Sequence, residues 1–530
     1  MNNWPPILTE EDLRKLDKVG VNLELTKTYM SERLVSLVRA PAGIGKTKSA
    51  LAISLILAEK GYRIGFFFRT IKEIEHSLSL LQDLIRKIGK TDKLLIVPVV
   101  GKRRLCMFPP EDEVLIKYWC QILSCYFFTR RNNEFFIKQV EKGVYQSIRN
   151  YYELAKRYDL CPYYAYSNLA KQASILLTTH VYFVDDELYE KLGKLDVAFI
   201  DEAHNLMIIK KGEISIKDYE LGRRLDALRE EREDHFTRGL WERKNKTHAV
   251  VYTRYSSYVG ARGFEVRVDD KLVKFSLPAN LIRNRLNGVG KIILMSASLY
   301  PTNLFGELFL RGVDSSEKLV LPGMLSSTPL RRIMGLSVGL TTSYKRRSKS
   351  VLNGYIRLLD FLRSKTKRNL IVFAPSKEIA NEIVKGLPNS LLVENSDSLN
   401  EGSLKDCEDA IYVSYMRGSL AEGVELNFGY CTPNILVVIG LPYPSVTRET
   451  IKILKFYSLE LGVSFNDLLN AYHLSNMVSA LVQAAGRVGR RGKGIVLVVD
   501  DRLRNLDFLG LPLINNLNQL VTIIKKYLGG

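Results

Sequence analysis

The octapeptide Ala40-Pro41-Ala42-Gly43-Ile44-Gly45-Lys46-Thr47 decides how this chain is read. A short β-rich run, Leu34 to Val38, precedes it, and a helical stretch from Thr47 to Glu59, ended by Gly61, follows it. A glycine-bearing turn between a buried strand and a helix is the setting a phosphate-binding loop requires. Backbone N–H groups from Ala42, Gly43 and Gly45 can converge there on a β-phosphate, at a helix amino terminus whose dipole favours anions. Lys46 would reach the β- and γ-phosphates, and the Thr47 hydroxyl would ligate Mg²⁺. Ala40 stands where such loops usually carry their first glycine.

Working outward, Tyr62 to Thr70, Lys93 to Val100, Ala173 to Thr178 and Val197 to Ile200 read as further buried strands. The same alternation returns with Asn369 to Ala374, Asp409 to Tyr415, Asn434 to Gly440 and Gly494 to Asp500, with a helical pattern at Ser376 to Lys385. Strands alternating with helices predict an α/β fold with parallel sheets covered on both faces. Two stretches interrupt the first unit. Gly101 to Tyr166 is basic and aromatic; Asn205 to Gly288 is charged, with a helix over Ile216 to Arg243 and a hairpin over Phe264 to Leu277.

Length and charge set the outer bounds. At about 150 residues per domain, 530 residues suggest three or four units, and a hydrophobic fraction of 46% excludes a disordered chain. The longest apolar run, Ala50 to Ala58, is about half of what crosses a bilayer, and Met1 to Asp12 lacks a secretory pattern, so a cytoplasmic protein with no membrane partner is expected. The net charge of +20 favours a polyanionic partner.

The second chemical signal is Asp196-Val197-Ala198-Phe199-Ile200-Asp201-Glu202-Ala203-His204. A buried strand delivers two acids at its carboxyl end, where open α/β sheets bind ligands. Asp201 would hold Mg²⁺ through water, and Glu202 would position and deprotonate the attacking water. Asp-Glu-Ala-His with the Gly-Lys-Thr loop resembles the superfamily 2 helicases. Ser296-Ala297-Ser298, Arg417 to Glu425, and Gln483-Ala484-Ala485-Gly486-Arg487-Val488-Gly489-Arg490 resemble the family's later motifs, in order. The resemblance gives Gly423 and Glu425 a nucleotide-contacting role, and makes Gln483, Arg487 and Arg490 catalytic, the arginines crossing a cleft to the γ-phosphate.

Cys106, Cys120, Cys125 and Cys161 all fall in the aromatic insert, whereas Cys407 and Cys431 lie in the second unit. A four-cysteine set between the phosphate loop and Asp-Glu-Ala-His, with Pro162 after Cys161, is similar to the XPD/DinG-like iron-sulfur helicases, most closely the archaeal members. Four thiolates can hold a [4Fe–4S] cluster or tetrahedral Zn²⁺. The irregular gaps of thirteen, four and thirty-five residues favour the cluster. The insert also holds fifteen aromatic residues, interleaved with Lys102, Arg103, Arg104, Arg130 and Arg131. Rings stack on unpaired bases while cations follow phosphates, although at least half of the rings are expected to form the insert's own core.

The resemblance covers nearly the whole chain. It implies two RecA-like motor domains, the first from residues 1–100, 167–204 and 289–325 and the second from 326–530. An iron-sulfur domain (101–166) and a helical arch (205–288) are inserted in the first. It implies an ATP- and Mg²⁺-dependent DNA helicase, a monomer moving 5′ to 3′ on single-stranded DNA and opening forks, in DNA repair. An RNA helicase or nucleoprotein remodeller, or a DNA-binding ATPase switch, are the alternatives. No Gln precedes Lys46, so the Arg-x-x-Gln element with which relatives read adenine has no counterpart, and other nucleoside triphosphates become candidate substrates.

Overall fold

The apolar runs that alternate with helical patterns close into two parallel sheets. The computed structural model describes residues 8–40, 44–89, 94–129, 147–299, 301–313, 331–346, 348–394, 410–416, 433–488 and 493–529. In the first half the strands are β1 (Val35–Arg39), β2 (Ile64–Phe68), β3 (Ile96–Val99), β4 (Ile175–Thr179), β5 (Leu195–Ile200), β6 (Ile209–Ser215), β7 (Phe264–Val268), β8 (Lys271–Ser276) and β9 (Val289–Ser296). Six of them form one sheet in the order β1-β9-β5-β2-β4-β3, every pair parallel. The central strands are apolar on both faces because helices cover both, so β2 is buried along its whole length. Phe66 stacks on Phe199 at 4.8 Å, and Tyr29 meets Phe199 in an edge-to-face contact at 5.4 Å.

The helix Lys46–Glu59 is apolar all round, and its middle turns are buried throughout. Helix Ile71–Ile88 is instead amphipathic and starts from a reciprocal Thr70–Glu73 cap. Ahead of β1, the residues from Ile7 to Arg39 read in sequence as a charged helix plus linker. The structure has two helices, Glu10–Lys18 and Leu23–Tyr29, the second begun by the Asn22 side chain and packed on helix Lys46–Glu59.

Strands β6, β8 and β7 make a small antiparallel sheet. Three helices, Ile216–Ala227, Glu233–Glu242 and Lys246–Gly260, stand beside it. The hairpin expected at 264–277 is β7 and β8. The single helix expected over 216–243 is two, because the chain turns back after Leu228 so that both pieces pack on helix Lys246–Gly260. Their shared core, around Leu225, Leu240, Tyr252 and Tyr255, also takes in Leu115, Tyr118 and Ile122 from the cysteine-bearing segment.

The second sheet comprises β10 (Arg331–Leu336), β11 (Leu370–Ala374), β12 (Ser390–Leu392), β13 (Ile411–Tyr415), β14 (Ile435–Ile439), β15 (Gly494–Val499) and β16 (Leu513–Ile514). Its order is β12-β13-β11-β14-β15-β10-β16, again all parallel. The two-motor α/β fold expected from the sequence is therefore present as two separate parallel sheets. Helix Arg448–Leu461, from the second half of the chain, packs on the small antiparallel sheet: its Phe456 meets Phe264 at 4.6 Å, and the Tyr457 hydroxyl donates to the Ser276 carbonyl at 2.8 Å.

Candidate nucleotide site

The site stands at the carboxyl edge of the first sheet. β5 ends at Ile200, and Asp201 and Glu202 follow. Glu202 has φ 48° and ψ 44°, a left-handed conformation that turns the chain sharply off the strand. On the other side of the site, Gly45 at φ 89° opens helix Lys46–Glu59. The two segments meet: Thr47 Oγ1 donates to Asp201 Oδ2 at 2.7 Å. Lys46 is buried, and its Nζ donates to the Ala40 carbonyl at 2.9 Å. Burial pushes the Lys46 ammonium down, and the Glu202 and Asp201 charges oppose that.

Ser296, the last residue of β9, joins the acids. Its hydroxyl donates to Glu202 Oε2 at 3.0 Å, and His204 Nδ1 lies 2.9 Å from Ser296 Oγ and 3.2 Å from the same Glu202 oxygen. Burial pushes the Glu202 carboxyl up, but the His204 hydrogen bond and charge, with Lys46 and Ser296, outweigh it and hold the group low. Asp201 ends raised, first by burial and then by the Glu202 charge beside it. The pair thus splits into one firmly ionised carboxylate and one that a nearby cation would stabilise.

The structure brings Gly45, Lys46, Thr47, Asp201 and Glu202 into one place. Gln483 lies near the end of helix Phe465–Ala485 and Arg487 just beyond it, both half-buried. Ala42, Gly43, Gly423, Glu425 and Arg490 lie outside the described residues, as do Cys407 and Cys431. Two contributors were not anticipated. His180, directly after β4, places Nε2 2.7 Å from the Asp201 carbonyl oxygen, and Tyr29 donates from beneath to the Lys46 carbonyl at 3.3 Å. For His180, one of only six histidines, the available signal was its position at the carboxyl end of a buried strand.

All four insert cysteines lie among the described residues. Cys106 ends the short helix Lys102–Leu105, the Cys125 amide donates to the Cys120 carbonyl at 2.9 Å, and Cys161 starts helix Pro162–Ala170. Burial raises the Cys106 thiol, and Cys120 and Cys125 add to it; burial likewise raises Cys161, with Cys120 and Cys106 as neighbours. Backbone amides of Tyr163 and Tyr164 donate to the Cys161 sulfur. Among the described residues, no three His, Cys, Asp or Glu side chains stand at metal-holding spacing. In kind the donor set suits a thiolate-held centre: four thiols in one segment, those of Cys106 and Cys161 accepting from the backbone N–H groups of Phe108 and of Tyr163 and Tyr164.

Beside the cysteines, a cavity of about 550 Å³ is lined by Lys102, Lys117, Tyr163, Tyr164, Tyr182 and Lys191. Of the insert's rings, Tyr118, Tyr151, Tyr163 and Tyr166 are buried, while Phe108 and Tyr126 are exposed.

Comparison with known proteins agrees with this arrangement. The DEAD_2 family model matches residues 66–221, and the helicase C-terminal domain family model matches residues 359–517. The ATP-dependent DNA helicase XPD of Sulfolobus acidocaldarius is 25% identical over 550 aligned positions, covering 89% of this chain and 93% of that protein. The general transcription and DNA repair factor IIH helicase subunit XPD of Dictyostelium discoideum is 23% identical over 331 positions, 57% of this chain and 41% of its own length. A solved XPD helicase structure superposes with a TM-score of 0.60 at 20% identity, over 96% of this chain and all of that one. Two parallel motor sheets, an acidic strand end facing a Gly-Lys-Thr loop, and these matches identify the chain as an XPD-like superfamily 2 helicase.

Proposed function

We propose that the chain hydrolyses ATP to move 5′ to 3′ along single-stranded DNA and separates the duplex at a fork, as part of DNA repair. The observation that carries this reading is the joined network of Lys46, Thr47, Asp201, Glu202 and Ser296. Lys46 would leave the Ala40 carbonyl for the phosphates, and Thr47 and Asp201 would hold Mg²⁺, which neutralises charge on the β- and γ-oxygens when bound. Glu202, kept ionised, orients the attacking water and takes its proton as the γ-phosphoryl group passes to that water. Arg487 and Arg490 stabilise the charge that develops when the motors close. Gly423 and Glu425 complete the nucleotide contacts from the second motor.

The strand would pass the cavity beside the insert, where Lys102, Lys117 and Lys191 follow phosphates and the half-buried Tyr164 offers a stacking face. Cys106, Cys120, Cys125 and Cys161 would hold a [4Fe–4S] cluster, whose role when bound is to fix the insert's fold. The relatives named above act on DNA, which favours DNA over RNA.

Strand displacement on matched DNA forks with 5′ or 3′ tails, and on RNA counterparts, tests the reading. Unwinding of the 5′-tailed DNA fork alone is expected; preferential RNA unwinding would sink it. Anaerobically purified protein should absorb near ~400 nm, and colourless protein with stoichiometric zinc would overturn the cluster assignment.

A further inference from the structure

Helix Phe465–Ala485 touches the first motor well before its arginine-bearing end. The hydroxyl of Ser475 donates to the Ser298 carbonyl at 2.7 Å, and both residues are buried. The Ser298 amide in turn donates to Ser296 Oγ at 3.2 Å, and the Ser296 hydroxyl donates to Glu202 Oε2 at 3.0 Å. Between them, Ala297 is buried in the second motor's core cluster with Met477, Val478 and Leu481 of the same helix. Residues 296–298 therefore face both ways: one hydroxyl on the water-activating carboxylate, one methyl in the other motor, one carbonyl held by that motor's helix.

We propose that Ser475 is a positioning residue that couples the two motors through this run of three hydrogen bonds. Ser475 lies two turns ahead of Gln483 on one continuous helix, so an axial shift that moves Arg487 also pulls on the Ser298 carbonyl. Ser298 cannot follow without carrying Ser296 Oγ, and with it the orientation of Glu202. Ser475 lies outside the Gln-x-x-Gly-Arg-x-x-Arg motif, so no motif reading assigns it a role. This inference rests on the motor reading above.

The test is Ser475→Ala, Ser475→Thr, Ser296→Ala and the Ser475→Ala/Ser296→Ala pair in the full chain. Alanine is the better helix former and slightly smaller, so the helix is retained. Ser475→Ala is expected to lower the DNA-stimulated kcat about tenfold, the worth of one buried hydrogen bond, while KM for ATP stays within about twofold. Ser475→Thr, which keeps a hydroxyl, restores most of the rate. The double variant should be no slower than Ser296→Ala alone, since both changes cut one line. Full stimulated kcat in Ser475→Ala, no rescue by threonine, or losses that multiply would each overturn the proposal. If the unmodified chain shows no DNA stimulation, the motor reading falls and the coupling with it. Normal stimulation with an unaffected Ser475→Ala removes the coupling alone.

Discussion

Each motor ends a buried strand in two adjacent acids, and the two pairs have opposite fates. After β5 come Asp201 and Glu202; after β15 come Asp500 and Asp501. Asp500 is fully buried and saturated: Arg502 grips both oxygens at 2.9 and 2.7 Å, Thr341 donates at 3.1 Å, and the Thr342 and Leu441 amides donate at 3.3 Å each. Asp501 accepts from the Ser337 hydroxyl and the Gly339 amide at 2.8 Å each. At the first pair the cation is Lys46, a point charge that bonds the Ala40 carbonyl instead of either acid. An acidic strand end becomes chemistry when its lone pairs are left for water and metal, and scaffolding when a guanidinium fork and amides occupy them.

The largest effect should come from Glu202→Gln, expected to lower kcat about 10³-fold with nucleotide binding retained. Lys46→Ala should likewise stop hydrolysis while single-strand affinity at fixed salt holds; lost DNA binding in that variant would contradict the division of labour. Next, Cys106→Ser is expected to abolish unwinding in a strand-displacement assay yet spare most DNA-stimulated ATPase; total loss of ATPase in a folded variant would break the separation of insert and motors. Asp500→Asn should leave hydrolysis within a few-fold when assayed below melting, but cost about 3 kcal/mol of stability by orphaning Arg502. A loss of kcat as large as that of Glu202→Gln would show that the second pair is chemical after all. At the small end, Arg448→Ala removes an exposed 3.0 Å pair with Asp269 and should leave the melting temperature unchanged.

Most of the fold was legible because its strands are continuous apolar runs bounded by turns, and β1, β2, β5, β11 and β14 all fall within a few residues of the expected spans. The nucleotide site was legible for the same reason: Lys46, Thr47, Asp201 and Glu202 are tied to a strand end or a helix start, which fixes where their side chains go. Five features escaped. His180 and Ser475 act through single buried hydrogen bonds to distant carbonyls, which no local pattern announces. The break after Leu228 depends on what the two helices pack against, and Leu23–Tyr29 on the helix beneath it, so propensity alone favoured one long helix and a linker. Helix Arg448–Leu461 sends its apolar face into the core of the other half, a packing that no local pattern announces.

The antiparallel pairing of β6 with β8 puts Ile209 opposite Ser276. The excursion from 210 to 275 therefore leaves and rejoins the motor at a single rung of a ladder, about 5 Å apart. Topologically it is a bracelet charm: the ring closes without it. A chain that grows or trims this excursion need not reroute the strands on either side, and loop-closure entropy changes only slowly with its length. Size variation among relatives should concentrate here, and a short turn joining the two sides should leave the six-stranded sheet able to form.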